Sequence, residues 1–485
     1  MTAGPHRGTE RVDAVVIGAG PNGLAAAIML ARAGHSVGVI EAAETPGGGA
    51  RSAEVTLPGF VHDVCSAIYP FGRIAPFFRE SGLAQAIDWV EPPLALAHPL
   101  DDGSAIVVGR DVERTIRGLG EDGPAYARLV GGLVPRWPSL LDDVLAPLHV
   151  PLWPPRTLRL ALFGLNAIQS ASSLARRFRG DAARALLAGV AAHSILRLTE
   201  PVSGAAALVM LASAHADGWP FPAGGASRIP DAMTAELERL GGWMRTGRRV
   251  ERMEDLPPHR VALFDVAPRR LLEIADDRLG GRYRRALERF QHGPGIFKLD
   301  LALDGPPPWR APELLQAGTI HVGGTFEEIA RAEADAHAGR IPQRPFLIVA
   351  QPSLFDPLRA PAGRHTLWAY SHVPHGSSAD LTEPILDQLE RFAPGLRARI
   401  LATTSTGPPE LEAYNPNDVG GDIGGGRMDL GQLFNRPAWP FNPYSTPDPS
   451  IFLCSASTPP GGGVHGMCGY HAARSAARRL RQPAH

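Results

Sequence analysis

Cysteine is nearly absent from this chain of 485 residues: only Cys65, Cys454 and Cys468 occur, with no C-x-x-C pair among them. That excludes a dithiol redox centre of the thioredoxin-reductase type and a structural zinc site, and no metal is expected. Lysine is scarcer still, for Lys298 is the only lysine among 48 basic residues. The formal net charge is −1, and no basic stripe is interleaved with aromatics, so nucleic acid is not an expected partner. No apolar run approaches the ~20 residues that span a bilayer. Residues 1–12 are polar and lead straight into an apolar strand, unlike a secretory signal. Together with the few cysteines, this makes a cytoplasmic protein the expectation. Neither an internal repeat nor a low-complexity segment occurs, and the length permits two or three domains with ample core.

What the chain does contain begins at Asp13. The stretch to Glu41 holds an apolar strand, a glycine turn, a helix, a second strand and a terminal acid. Gly18, Gly20 and Gly23 give the G-x-G-x-x-G spacing. The first permits the tight turn, the second lets backbone approach a pyrophosphate, and the third lets helix and strand pack closely. Pro21 and Asn22 open the helix, whose free N–H groups and positive dipole end suit phosphate. Glu41 stands where an acid binds both hydroxyls of an adenosine ribose. This pattern predicts a dinucleotide site.

Beyond Glu41, the doublet Gly47-Gly48 would let a second backbone segment close over the pyrophosphate, and Arg51 would add charge. Pro58-Gly-Phe-Val-His-Asp63 follows. Near the other end, Ile451-Phe-Leu-Cys runs into Pro459-Pro-Gly-Gly-Gly-Val-His-Gly466. The final glycines also match G-x-G-x-x-G, but fewer than twenty residues follow Gly466, too few for a second strand and acid. These segments resemble the two-dinucleotide-binding-domain flavoproteins: the phytoene desaturase-like FAD-dependent oxidoreductases and the related flavin amine oxidases. Phe221–Pro230, Gly242–Val250, Gly420–Gly426 and Arg436-Pro437 resemble further recurring segments of that group, so the likeness reaches from residue 12 to about 475. Within the group the chain looks closest to the branch labelled pyridine nucleotide-disulfide oxidoreductase domain-containing. It departs by having Gly49 where many relatives have arginine, Ser455-Ala-Ser457 for Gly-Ala-Gly, and a shortened hairpin after Val250.

The resemblance implies an α/β fold: a Rossmann-like FAD-binding domain assembled from segments 1–75, 218–270 and 438–485. A mixed α+β substrate domain would come from 76–217 and 271–437. Helical composition in Asp181–Ala192 and strand-like runs at Gly295–Leu303 and Pro345–Ala350 fit that division. The implied cofactor is FAD, with the Val250 backbone meeting adenine and Gly462, Gly463 and Val464 under the isoalloxazine. The implied activity is hydride transfer from a C–C bond of a small lipophilic substrate, polyene or enone, to flavin N5, with oxygen or a quinone-like acceptor reoxidising it. Desaturation, dehydrogenation and isomerisation stay open, as do a flavin amine oxidase and a flavin-containing scaffold with little turnover. Lys298 resembles the amine-oxidase lysine that reaches flavin N5 through water, and His465 is a candidate proton donor; these two are the catalytic candidates. His193, His215, His321, His372 and His375 are not ranked by sequence. Residues 155–178, with arginines flanking an apolar middle, read as a core helix first and a peripheral membrane contact second.

Overall fold

The computed structural model describes residues 11–147, 154–438 and 442–482. Its first sheet has five parallel strands in the order Ile451–Leu453, Val261–Phe264, β1 (Ala14–Ile17), β2 (Val37–Ile40), Trp243–Arg245. β1, β2 and Val261–Phe264 are buried throughout, which is why they read as continuous apolar runs rather than alternating ones. Helix α1 (Pro21–Arg32) covers one face. Its alanines and glycine keep it close to the sheet, and proline at the first turn fixes its start. The helix Met467–Leu480 packs along α1 so tightly that a Cβ on Gly469 would stand 1.8 Å from the Asn22 carbonyl oxygen.

The second sheet is mixed and seven-stranded, in the order Ile400–Thr406, Gly295–Leu303, His365–Val373, Leu347–Ala350, Ala317–Val322, Leu94–Pro99, Ala105–Val108. One face packs on Leu381, Ile385 and Leu389; the other faces a helical layer that includes Asp181–Ala191 and Ser203–Ala216. The fold is thus α/β, with a Rossmann-like parallel sheet joined to a mixed sheet-and-helix unit. The two are braced at Asp63. Its carboxylate accepts from the Ser52 hydroxyl, the Ala226 N–H and the fully buried Arg359, which also pairs with Asp356. Such a buried pair is strongly destabilising to break one-sidedly, so it fixes the interface.

Two expectations need correction. The segment 155–178 is not a core helix: Pro154–Ala167 leaves Leu158, Leu162, Leu165 and the following Ile168 between 52% and 66% exposed, and a second helix, Ala171–Ala175, follows. The strand expected over 242–250 ends at Arg245, where the chain turns to bond the Glu41 and Ala43 carbonyls through the Arg248 and Gly247 N–H groups. Among the described residues, no helix is long and apolar enough to cross a membrane.

Candidate functional site: a cavity at the carboxyl ends of the parallel strands

The carboxyl ends of parallel strands are where α/β folds collect ligands. Here β1 ends in the glycine turn, β2 in Glu41, Val261–Phe264 in Asp265, and Ile451–Leu453 in the turn leading to Gly462. A cavity of about 1110 Å³ opens from this edge into the second unit. Gly20, Pro21, Asn22 and Gly48 line it at one point, and Gly462, Gly463 and Val464 at another, so residues from opposite ends of the sequence share one wall. The turn has no room for side chains. A Cβ on Gly23 would sit 2.1 Å from the Gly18 carbonyl oxygen, and one on Gly20 would sit 2.7 Å from Asp265 Oδ2. Gly18 itself has φ +97°, open to glycine at no steric cost.

Glu41 directly follows β2 beside the glycine turn and, like Gly18, Gly23 and Gly47, does not itself line the cavity. Oε2 accepts from the Ala19 N–H at 2.6 Å and Oε1 from the Ala43 N–H at 2.8 Å. A carboxylate has about four acceptor positions, so two remain for hydroxyl groups. Gly47 donates its N–H to the Ala19 carbonyl, tying the doublet to the first turn. Asn22 leaves its buried Oδ1 without a partner beside the cavity.

Four further candidates lie off the cavity wall. Arg51 does not line the cavity. Its guanidinium donates to the Thr45 and Pro46 carbonyls, lies 3.7 Å from Glu41 and stacks over Tyr414, so it stiffens the loop instead of reaching a phosphate. Val250 is buried in the core behind the sheet with Val12, Ile17 and Ile40, and it too does not line the cavity. His465 does not line the cavity. Its Nδ1 accepts the Met467 N–H at 3.0 Å, capping the last helix, and burial lowers its pKa to about 4. A neutral, helix-capping imidazole is a poor proton donor to a cavity it does not touch.

Lys298 is neither a surface residue nor a cavity-wall residue. It is 1% exposed, bonded to Asp300 and near the Trp368 ring, while His62 lies 3.4 Å from Asp300. Its strand partner Tyr370 does line the cavity. The lysine therefore shares a sheet face with Tyr370 and Trp368, which line the cavity, and is paired with Asp300.

Residues to which the sequence motifs assigned no role stand at the wall or fasten it. Asp265 Oδ2 accepts from the Gly23 N–H at 2.8 Å, and burial raises its pKa to about 7. The sequence signal was an acid directly after an apolar strand at the ligand edge. Asp418 is fully buried and raised to about 8 by burial and by Asp422. Asp422 is held below the usual carboxylate range despite burial, because it bonds His292 and the Gly293, Gly424 and Gly426 N–H groups. Arg436, from the Arg-Pro pair, is buried and donates to the carbonyls of Gly424, Gly425 and Ala456, which fastens the 420–426 loop to the C-terminal turn. Among the described residues no cluster could hold a metal ion, and the three cysteines are free and buried.

The fold and this site define an α/β protein whose parallel sheet is a Rossmann-type dinucleotide-binding unit. Residues 16–80 match the NAD(P)-binding Rossmann-like domain family. Over 557 residues, and across 97% of this chain and 94% of the relative, the sequence is 25% identical to mouse (Mus musculus) pyridine nucleotide-disulfide oxidoreductase domain-containing protein 2. It is likewise 25% identical to the lycopene-forming phytoene desaturase of a Paracoccus strain, covering 94% of this chain and 95% of that one. Wild-type putrescine oxidase bound to putrescine shares the fold, with a TM-score of 0.62 at 17% identity, covering 98% of this chain and 100% of that chain. The chain is thus similar over nearly its whole length to the first two proteins, and it shares its fold with the third.

Proposed function

We propose that this protein is an FAD-dependent oxidoreductase that acts at a C–C bond of a neutral, lipophilic substrate. The observation that carries it is the single cavity joining the N-terminal glycine turn to the C-terminal Gly462–Val464 turn. FAD, when bound, supplies the hydride acceptor; the protein supplies position and exclusion of water. The cradle suits it: Gly20 and Gly48 leave backbone open to a pyrophosphate, Glu41 has acceptors left for a ribose, and Gly462 and Gly463 give the far turn a side-chain-free face.

The charge census of the wall decides between substrate classes. Four acids line the cavity: Asp143, Asp265, Asp418 and Asp422. Asp143 pairs with Arg159, Asp422 is saturated by N–H donors, and Asp418, raised to about 8, holds its proton at neutral pH. Asp265 is already committed to the Gly23 N–H. Apart from Asp265 at the glycine turn, none offers a free charge to an ammonium, and the one arginine lining the cavity among the described residues, Arg427, is paired with Glu200 and Asp429. Leu160, Phe163, Val209, Met210 and Ile348 fill out an apolar lining. This favours a neutral substrate over an amine.

The same logic extends to the mouth. Leu165 and Ile168 both line the cavity and stand exposed, in one stripe with Leu158 and Leu162; Phe434, in the short helix Leu430–Asn435, also lines the cavity and stands exposed. We propose that this patch rests on a lipid surface from which the substrate enters. The deciding experiment for the activity is purification, a visible spectrum, and anaerobic reduction with enones, polyenes and amines. A flavin bleached by the neutral compounds supports the proposal; protein without flavin, or bleaching by amines alone, overturns it.

A further inference from the structure

The short segment that follows helix Asp181–Ala191 lines part of the cavity. Two β-branched residues there, Ile195 (φ 50°) and Val202 (φ 64°), adopt the left-handed backbone region, and both line the cavity. That region is costly for β-branched residues and persists only where surroundings over-determine it. They do: His337 Nε2 meets the Ile195 carbonyl at 3.1 Å, the Val202 N–H donates to Ile168, and Glu200 pairs with Arg427. The strained segment presents His193 at the cavity wall.

The His193 ring is fixed by one bond, Nε2 to His321 Nε2 at 2.8 Å, and packs edge-on to Trp219. A bond between two imidazole nitrogens needs one proton, and burial keeps both rings neutral: it lowers His193 to about 3 and His321 well below its ordinary value. If His193 were the donor, His321 would carry its own proton on Nδ1, which is buried and has no partner. An orphaned buried N–H is the rarer and costlier defect, so the network assigns the shared proton to His321. His193 then carries its proton on Nδ1. That nitrogen has no partner among the described residues and is not buried away from the cavity that the residue lines.

We propose, on the neutral-substrate proposal above, that His193 Nδ1–H is the cavity's hydrogen-bond donor for substrate, and that the substrate carries a carbonyl or hydroxyl oxygen. A pure hydrocarbon would leave this donor unpaired, and an ammonium would meet a donor where it needs an acceptor. His193 is here an orienting residue; the strained segment sets the direction of its N–H.

Tryptophan fluorescence tests this, because Trp219 and Trp368 line the cavity. The purified protein is titrated with 2-undecanone, undecane and undecylamine. The ketone should bind ~10-fold or more tighter than the alkane, the scale of one buried hydrogen bond. His193→Phe should bring the ketone down to the alkane's level while alkane binding holds within about twofold. His193→Asn, whose side-chain N–H falls near the same point, should regain most of the preference. Equal binding of ketone and alkane by the wild type, tightest binding of the amine, or equal loss of both neutral ligands in His193→Phe overturns the proposal. Should His193→Phe not fold, the wild-type ratio and His193→Asn still decide. Binding needs no turnover, so a ketone preference without flavin would refute the activity and leave this site standing.

Discussion

Asp265 shows how one residue can set the pH behaviour of a nucleotide site. Its carboxyl holds the Gly23 N–H at the start of α1, and burial raises its pKa to about 7. A diphosphate placed at Gly20 would add like charge and push that pKa higher still, so binding should take up a proton. Flavin affinity is then expected to fall as pH rises through 7, and in Asp265→Asn, which keeps an acceptor for Gly23, to lose that dependence. Flavin titrations between pH 6 and 9 check it; identical profiles for the two proteins would refute it. The stability sign follows from the same shift. A carboxyl raised from 3.8 to about 7 contributes stability that is fully present below 3.8 and lost as pH rises through 7. Lys298 carries a different expectation from the one its sequence context suggested. Lys298→Met would leave Asp300 buried beside His62 without its cation, an uncompensated charge costing about 3–5 kcal/mol. Denaturant unfolding should register that loss; unchanged stability with slowed flavin reduction would instead restore the amine-oxidase role.

At the scale of elements, what was legible in the sequence was whatever is local. The glycine spacing after β1, the acid after β2 and the apolar run Gly295–Leu303 each declare themselves within a few residues, and each forms as expected. His193 did not, because its partner lies 128 residues away in another element. Lys298 differs: its partner Asp300 is only two residues on in the same strand, and strand periodicity alone does not say which charges will pair. Arg51 and His465 were assigned to the cofactor by motif position, yet backbone groups nearby claim both. The helix Pro154–Ala167 misled through composition, since an apolar stripe looks alike whether it meets a core or an open surface. Its exposed leucines lead to a test. Leu162→Glu with Leu165→Glu should weaken binding to phosphatidylcholine vesicles by about a hundredfold or more in co-sedimentation, since each buried leucine is worth about 1.5–3 kcal/mol, and should leave the melting temperature unchanged. Vesicle binding that is absent in the wild type would remove the lipid surface from the account.

In the molecule as a whole, the two ends of the chain meet at one wall. The strand Ile451–Leu453 completes the parallel sheet, helix Met467–Leu480 packs on α1, and Gly469 contacts the Asn22 carbonyl in the first turn of that helix. A ligand that spans Gly20 to Gly463 therefore bridges segments some 440 residues apart, and its binding free energy becomes folding free energy for both. At flavin a thousandfold above its Kd, the linkage is about 4 kcal/mol, enough to raise the melting temperature by several degrees. Gly463 has φ +125°, with a Cβ position 3.1 Å from the His465 ring, so Gly463→Val adds both bulk and backbone strain at the turn. Without flavin, the variant should melt within a few degrees of the wild type, because this turn lies on the cavity wall and not in the sheet. With flavin, the wild type should gain its several degrees and the variant little. Parallel melts of both proteins, each with and without added FAD, read the outcome. Equal gains would mean that the C-terminal turn does not touch the cofactor, and the bridge between the two ends would have to run through the helix contact alone.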